Sequence, residues 1–411
     1  MNSKLSRREF LRRAGLGIAA GAAALTSAPA RAASDLSSKG EGAGGVFQPV
    51  LPYRNYLPAV SAPPTDVLRI HAADAVTWDF STGWYGDYVN QTRVNEMTER
   101  GLRELTGQDS TGSAWARLMP NYQPGQKIAI KVNLNNAKKE DSDNIIDALP
   151  QVVIALLRTL VSDYKVAEAD IWVYDAQRPM PARFYNPIHT AFPQVGLYDN
   201  GGGYGAKATF NHVDPSLRVA FSHANLKGER WLTDLLFNAT YLINLPIMKK
   251  HASHPVTLGF KNHFGSTSVL VAIGGDGKDD LHPYITPSNL LYTPTTVPFV
   301  DINANPNIRN KTVLTLADGL FGSSAVAVAP QAWNNTFSGH SPNSLLFSTD
   351  PVAMDCVMTD LLRAEFNTGA IMNDSTYDYL KDASGRGMGK WEKGDPWGAG
   401  YNQLRYKVVE I

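Results

Sequence analysis

The residues best suited to chemistry lie in one run, Lys249 to Gly265, which reads KKHASHPVTLGFKNHFG. It sets three of the chain's nine histidines (His251, His254 and His263) among Lys249, Lys250, Lys261 and Asn262. Histidine supplies a metal ligand or a proton shuttle near neutral pH; lysine supplies a cation, a nucleophile or a tether. On a helix His251 and His254 would share a face, but Pro255 follows directly and favours a loop. No HExxH pattern is present, so zinc is not specified. His251 and Lys261 are the expected catalytic residues. His251, His254 and His263 are the candidate metal ligands, and the plainer reading of His254 and His263 is polar loop surface.

Other polar groups are expected to converge on the same place. In an α/β sheet, sites collect beyond the carboxyl ends of the strands. Lys131 and Asn133 follow one apolar run, Asp175 and Arg178 another, and Asp318 a third. Lys131, Asn133, Lys249, Asn262, Asp318 and Asp350 are the expected contacts to a substrate or cofactor. Asp350 also reads as the cap of a following helix. Asp355, inside an apolar helical segment, needs a buried partner, and a lysine at a neighbouring strand end would serve. The DNGGGYGAK stretch lacks the P-loop spacing and reads as a plain loop, and no GxSxG elbow occurs.

These groups need elements to hold them. Folded structure is expected to begin at VLRIHAAD. A helix is predicted over Arg93–Leu105, stopped at Gly107. KIAIKVNL (127–134), a helix over 150–163 with Pro150 in its first turn, and ADIWVYDA (169–176) form a βαβ unit with parallel strands. YLINLPIM (241–248), TVLTLADG (312–319) and SLLFSTD (344–350) are further apolar runs. Pro246 predicts an edge strand or a bend in the first of them. A helix is predicted over 352–366, and QLRYKVVEI closes the chain as a strand. The fold class is α/β, a mixed and largely parallel sheet with flanking helices, in one large domain or two lobes. Residues 266–311 read as a loop-rich insertion or lid within a 66–411 domain.

Residues 1–32 carry Ser6-Arg7-Arg8-Glu9-Phe10-Leu11, a Gly/Ala-rich apolar stretch and small residues at Ala30-Arg31-Ala32. This is the pattern of a twin-arginine signal peptide cleaved near Ala32, with the translocase as a transient partner and a periplasmic or extracellular destination. Residues 33–65 read as a flexible lead and surface strap. The signal holds six basic residues and one acid, and the rest of the chain keeps 32 basic and 37 acidic side chains, a formal charge of −5. That balance argues against a nucleic-acid partner. No permanent membrane span is expected. The single cysteine, Cys356, excludes an intramolecular disulfide and a cysteine-ligated iron–sulfur cluster, and reads as a buried core residue.

KVNLN (131–135), YLINLPIMKKHASHPVTLGFKNHFG (241–265), LADGLFG (316–322) and STDPVAMDCV (348–357) together resemble the family catalogued as domain of unknown function 362. That resemblance covers most of 66–411 and implies no agreed activity. HASHPVTLGFK is also similar to a lactate racemase-like motif, in which a histidine after an apolar strand is followed ten residues on by a lysine. The likeness implies Lys261 as tether of a nickel-pincer nucleotide and His251 as acid/base. The racemases carry another catalytic histidine after an earlier strand, where this chain reads YDAQRP, and their DxTRPxP-like signature is missing. The likeness implies a shared site more than a shared cofactor.

The expected function is therefore an exported enzyme acting on a small anionic molecule, by isomerase- or racemase-like proton transfer or by metal-assisted chemistry. The cofactor is left open, with a metal as one choice. The alternatives are a non-catalytic binding protein for a small anion, or a maturation factor that hands on a metal or cofactor.

Overall fold

Short apolar runs become strands wherever both faces of the sheet are covered by helices. The structure is a computed structural model that describes residues 65–226, 229–251, 254–268, 281–366 and 372–411. Residues 1–64, on which the expected signal peptide and all but the last residue of the expected 33–65 lead fall, lie outside the described residues. The strands are β1 (Val67–His71), β2 (Lys127–Lys131), β3 (Ile171–Tyr174), β4 (Gly196–Asp199), β5 (Ala206–Lys207), β6 (Arg218–Val219), β7 (Arg230–Trp231), β8 (Ala239–Asn244), β9 (Ile247–Lys250), β10 (Val256–Thr257), β11 (Thr312–Ser323), β12 (Ser344–Ser348) and β13 (Tyr406–Glu410). The main sheet runs β13-β1-β12-β11-β8-β2-β3-β4-β5, with β9 and β10 attached beside β11. From β11 to β5 every neighbour is parallel, and β12 runs against both β11 and β1. The fold is α/β, with a mixed sheet of mostly parallel strands.

The expected elements form near their predicted bounds, and the reasons are local. The Gln91–Thr106 helix starts where the Asn90 side chain accepts the Arg93 amide, and stops at Gly107, whose φ of 67° suits glycine. Val94, Met97, Leu102 and Leu105 form its buried face. A Cβ on Gly101 would lie 2.2 Å from the Phe347 ring, so only glycine lets this helix approach β12 so closely. The helix predicted over 150–163 is α-helical only to Arg158, and Thr159–Asp163 widens into a π-turn.

Two expectations change. YLINLPIM is not one strand. It breaks at Leu245-Pro246 into β8 and β9, because proline offers no N–H to the ladder. The Pro246 carbonyl accepts the Asp318 amide at 2.8 Å, and pairing with β11 resumes at Ile247. Its first half is a central strand, not an edge, so of the two consequences expected of Pro246 the bend is the one seen. The described part of 266–311 is also not a surface lid. Ile285, Val297, Phe299, Val300 and Ile302 are buried, and all but Ile302 share one apolar cluster with Val352, Val357 and Leu361 of the Pro351–Phe366 helix. Residues 269–280 lie outside the described residues.

The topology itself marks a position. From β2 the chain proceeds outward through β3 and β4 to β5, whereas from β8 it proceeds the other way, to β9 and β11. β2 and β8 are adjacent and parallel, so their carboxyl ends flank a crevice where the strand order reverses.

Candidate functional site

Lys131 and Asn244 sit opposite each other at that switch point, in register across β2 and β8. Lys131 is fully buried. Its Nζ donates to the Val132 carbonyl, to Asp175 Oδ2 at 3.1 Å and to Asn262 Oδ1 at 3.3 Å. Asp175 also accepts the Leu134 and Gln177 amides, each at 3.1 Å. Asn262 passes the network on, donating to Asn244 Oδ1 at 2.8 Å, and Asn244 donates to the Gly259 carbonyl at 3.0 Å. Burial lowers the Lys131 ammonium from its ordinary value, and Asp175 opposes that. A Cβ on Gly265 would lie 2.6 Å from Lys131 Nζ, so the FKNHFG turn closes on the ion pair through a glycine.

The same turn is anchored from its other side. Asp355, fully buried in the Pro351–Phe366 helix, accepts the Gly259 amide at 2.8 Å, the Phe260 amide at 3.0 Å and the Tyr379 hydroxyl at 3.1 Å. The expected partner of Asp355 was a lysine. Two backbone amides and a phenol satisfy it instead, because the helix abuts the first turn of Gly259–Asn262 and not a strand end. Burial still pushes its carboxyl up to about 7.

Lys249, at the end of β9, is differently placed. It is fully buried, yet its Nζ makes one long hydrogen bond, 3.4 Å to the Val326 carbonyl. Asp147, 5% exposed, on the segment that leads into the Pro150–Arg158 helix, lies within the electrostatic reach of Lys249. Asp147 Oδ1 accepts the Asn136 amide at 2.9 Å, and Oδ2 is buried with no hydrogen-bond partner. The Tyr85 hydroxyl bonds to the Asp147 backbone at both its amide and its carbonyl, which fixes the residue. Burial pushes the Asp147 carboxyl up to about 7, against the pull of Lys249, and pushes the Lys249 ammonium down to about 8. Two opposed groups are thus brought towards neutral pH, as acid–base chemistry requires.

His251 follows one residue beyond β9. Burial first, then the charges of Lys261, His282, Lys249 and His254, hold its imidazole far below its usual range, so it is neutral. It stacks on His282 with ring centroids 5.8 Å apart. Lys261, 8% exposed in the turn of Gly259–Asn262, presses on both His251 and His254. The structure therefore brings Lys249, His251 and Lys261 together electrostatically, with Lys249 also sensing Asp175 and Arg178 on the Lys131 side.

The other expected residues are placed as follows. Asn133 is buried, and its Oδ1 accepts the Asn135 amide at 3.2 Å, shaping the loop after β2. Asp318 is buried, accepts the Leu320 amide at 3.1 Å, and is raised to about 7 by burial. It lies within the field of Tyr85, which puts it on the Asp147 side. Asp350 caps the Pro351–Phe366 helix, accepting the Val352 and Ala353 amides at 2.9 Å and the Lys390 amide at 2.8 Å. None of these bonds joins Asp350 to the Lys131 or Lys249 groups. His254 is a core residue, not loop surface, boxed edge-on by Phe299 and Tyr379 at 5.0 and 5.2 Å. His263 is buried too, with Nδ1 3.0 Å from the Ser266 hydroxyl. Among the described residues no group of three or more His, Cys, Asp or Glu is arranged to hold a metal ion, so His251, His254 and His263 are not brought to one centre. Cys356 is buried, as expected.

Sequence reasoning missed Asp147, Asn244, His282 and Tyr379. Asn244 was within reach, as the last residue of an apolar run at a strand end. Asp147 sits in a loop without a motif, and only its closeness to Lys249 marks it.

Fold and site together define an α/β protein with buried lysines, carboxylates and neutral histidines at the switch point of its sheet. The chain belongs to the family described as Domain of unknown function (DUF362), which matches residues 128–360, from β2 into the Pro351–Phe366 helix. No curated protein matches it. Among the described residues no helix is long and apolar enough to cross a membrane.

Proposed function

We propose that the protein is an exported enzyme that moves a proton on a small anionic substrate at the carboxyl ends of β2, β8 and β9. The observation that carries this reading is Asp147 Oδ2, buried without a hydrogen-bond partner and within the electrostatic reach of Lys249, a lysine with one weak bond. Such a carboxylate is costly to bury unless a ligand or a transferred proton answers it. Lys249 and Lys261 supply positive charge for the substrate's anionic group. Burial and neighbouring cations keep His251 neutral and also make it a weak base; the substrate's anionic group, by offsetting the charges of Lys249 and Lys261, restores its capacity to accept a proton at a ring nitrogen. Asp147, with its carboxyl near 7, can return one. Abstraction of a proton beside a carboxylate, with its return to the other face or to a neighbouring carbon, is the whole reaction of a racemase or isomerase, and it balances with no other reactant. The twin-arginine pattern of residues 1–32 supports export.

The test uses mature protein from an export-competent host, incubated in deuterium oxide with a panel of 2-hydroxy and 2-amino acids. Proton NMR should show exchange at the α-carbon of one class, and His251→Gln should abolish it. Ligand affinity that survives His251→Gln, with no exchange in the native protein, would mean a binding protein instead. Intact mass should show cleavage near Ala32. The mass at Lys261 and a metal analysis decide whether a tethered group is present.

A further inference from the structure

Arg69 occupies the middle of β1, paired with Leu346 of β12 on one side and Val408 of β13 on the other. It is only 5% exposed, yet its Nε and Nη1 have no hydrogen-bond partner. Its guanidinium lies 4.8 Å from the Trp397 ring and 5.4 Å from the Phe337 ring, which meet each other edge to face at 5.1 Å. Two tight turns deliver these rings. Phe337 precedes Ser338 and Gly339, both at positive φ, in a loop closed by Trp333 and His340. Trp397 sits in a loop closed by Asp395 and Gly400, with its amide donating to Asp395 Oδ1 at 3.0 Å.

Ring faces attract a guanidinium, but they do not accept its in-plane N–H groups. Those donors remain for an anion. The nearest acid on β13, Glu410, is taken by His71. The Tyr406 hydroxyl, within the field of Arg69, is also buried without a partner. Trp397, 42% exposed, forms the open wall of this corner. A cation with unmet donors, a spare phenol and two aromatic walls call for a carboxylate attached to an apolar body. Arg69, Trp397 and Tyr406 lie outside the span matched by the family. We propose that this corner is a second ligand site, separate from the switch point, that binds a small apolar or aromatic carboxylic acid through Arg69.

Calorimetry on the mature chain with sodium benzoate, acetate and phosphate tests this. Benzoate should saturate one site and bind about tenfold or more tighter than acetate, because its ring is buried against Phe337 and Trp397. Arg69→Gln should weaken benzoate by about tenfold or more. Trp397→Ala, at an exposed position that leaves β1 intact, should remove the preference for benzoate over acetate. Lys249→Met should leave benzoate binding unchanged. The proposal is overturned if benzoate does not saturate, if Trp397→Ala or a folded Arg69→Gln binds it as tightly as the native chain, if phosphate equals benzoate, or if Lys249→Met abolishes binding.

Discussion

Two buried lysine–aspartate pairs stand at the same end of the sheet, and they are built differently. Lys131 and Asp175 touch at 3.1 Å, and each is also satisfied by neighbours: the Val132 carbonyl and Asn262 for the lysine, two backbone amides for the aspartate. Lys249 and Asp147 interact only through space, and each has hydrogen-bonding capacity to spare. A closed pair in low dielectric fixes a conformation. An open pair keeps its charges adjustable, which costs stability and suits chemistry. The difference assigns Lys131, expected from sequence to bind a ligand, to holding the turn of Gly259–Asn262 against β2. On the proposed function, the reactive position is then that of Lys249.

The largest expected effect separates the pairs directly. Lys131→Met leaves Asp175 buried without its cation and should cost about 3–5 kcal/mol in urea unfolding. Lys249→Met removes an ammonium that burial already disfavours, so its effect on stability should be within about 1 kcal/mol, or even stabilising. It should nevertheless remove the substrate exchange described above. Equal losses of stability in the two variants would erase the distinction.

Next comes the anchor on the far side of the turn. Asp355→Ala leaves two buried amides and the Tyr379 hydroxyl without their acceptor, and should cost about 2–3 kcal/mol. Benzoate binding at Arg69 should not change. A cost near zero would mean that the bonds from Lys131, Asn244, Asn262 and Asn303 hold the turn without it.

The pH dependence of stability sharpens the comparison further. Burial raises Asp147, Asp318 and Asp355 to about 7, so the folded chain keeps protons that the unfolded chain gives up above about 4. Their favourable contribution is full below that pH and is lost as pH rises towards 7. Lys249 and Lys311, lowered by burial to about 8, act in the opposite window: the unfolded chain binds protons up to about 10.4, so stability recovers as pH climbs from 8. Asp66 opposes at the acid end. Burial raises it, but hydrogen bonds from Arg405 and the Lys390 charge override that and hold it at about 2, so its contribution is lost on acidification below about 4. Asp147→Asn should flatten the fall between pH 4 and 7 by up to about 3 kcal/mol. In Lys249→Met the Asp147 midpoint should move higher still, because the ammonium that lowers it is gone. A curve unchanged in both variants would mean that the two groups do not sense each other.

Much of the fold was legible because its signals are local. Gly107, Pro150 and the Asp350-Pro351 pair announce helix ends by chemistry that operates over one turn. Strands buried on both faces announce themselves as apolar runs such as KIAIK and SLLFS. What escaped depends on pairing across the chain. Nothing in YLINLPIM says that its first half lies between β2 and β11. The site divides in the same way: His251, Lys249 and Lys261 were legible as residue types in one run, whereas Asp147 is a hundred residues away in a loop and becomes meaningful only once the sheet closes.

The smallest effect concerns Asp350, which sequence placed among the ligand contacts and also explained as a cap. Its two carboxylate oxygens are engaged by Val352, Ala353 and Lys390 amides at the start of the Pro351–Phe366 helix. Asp350→Ala frees the first-turn amides to water and should cost about 1 kcal/mol, the usual worth of a helix cap, with Asp350→Ser recovering most of it. Neither variant should alter substrate exchange, because the capped end has no hydrogen bond to Lys131, Lys249 or their partners. A loss of exchange without a loss of stability would return Asp350 to the site.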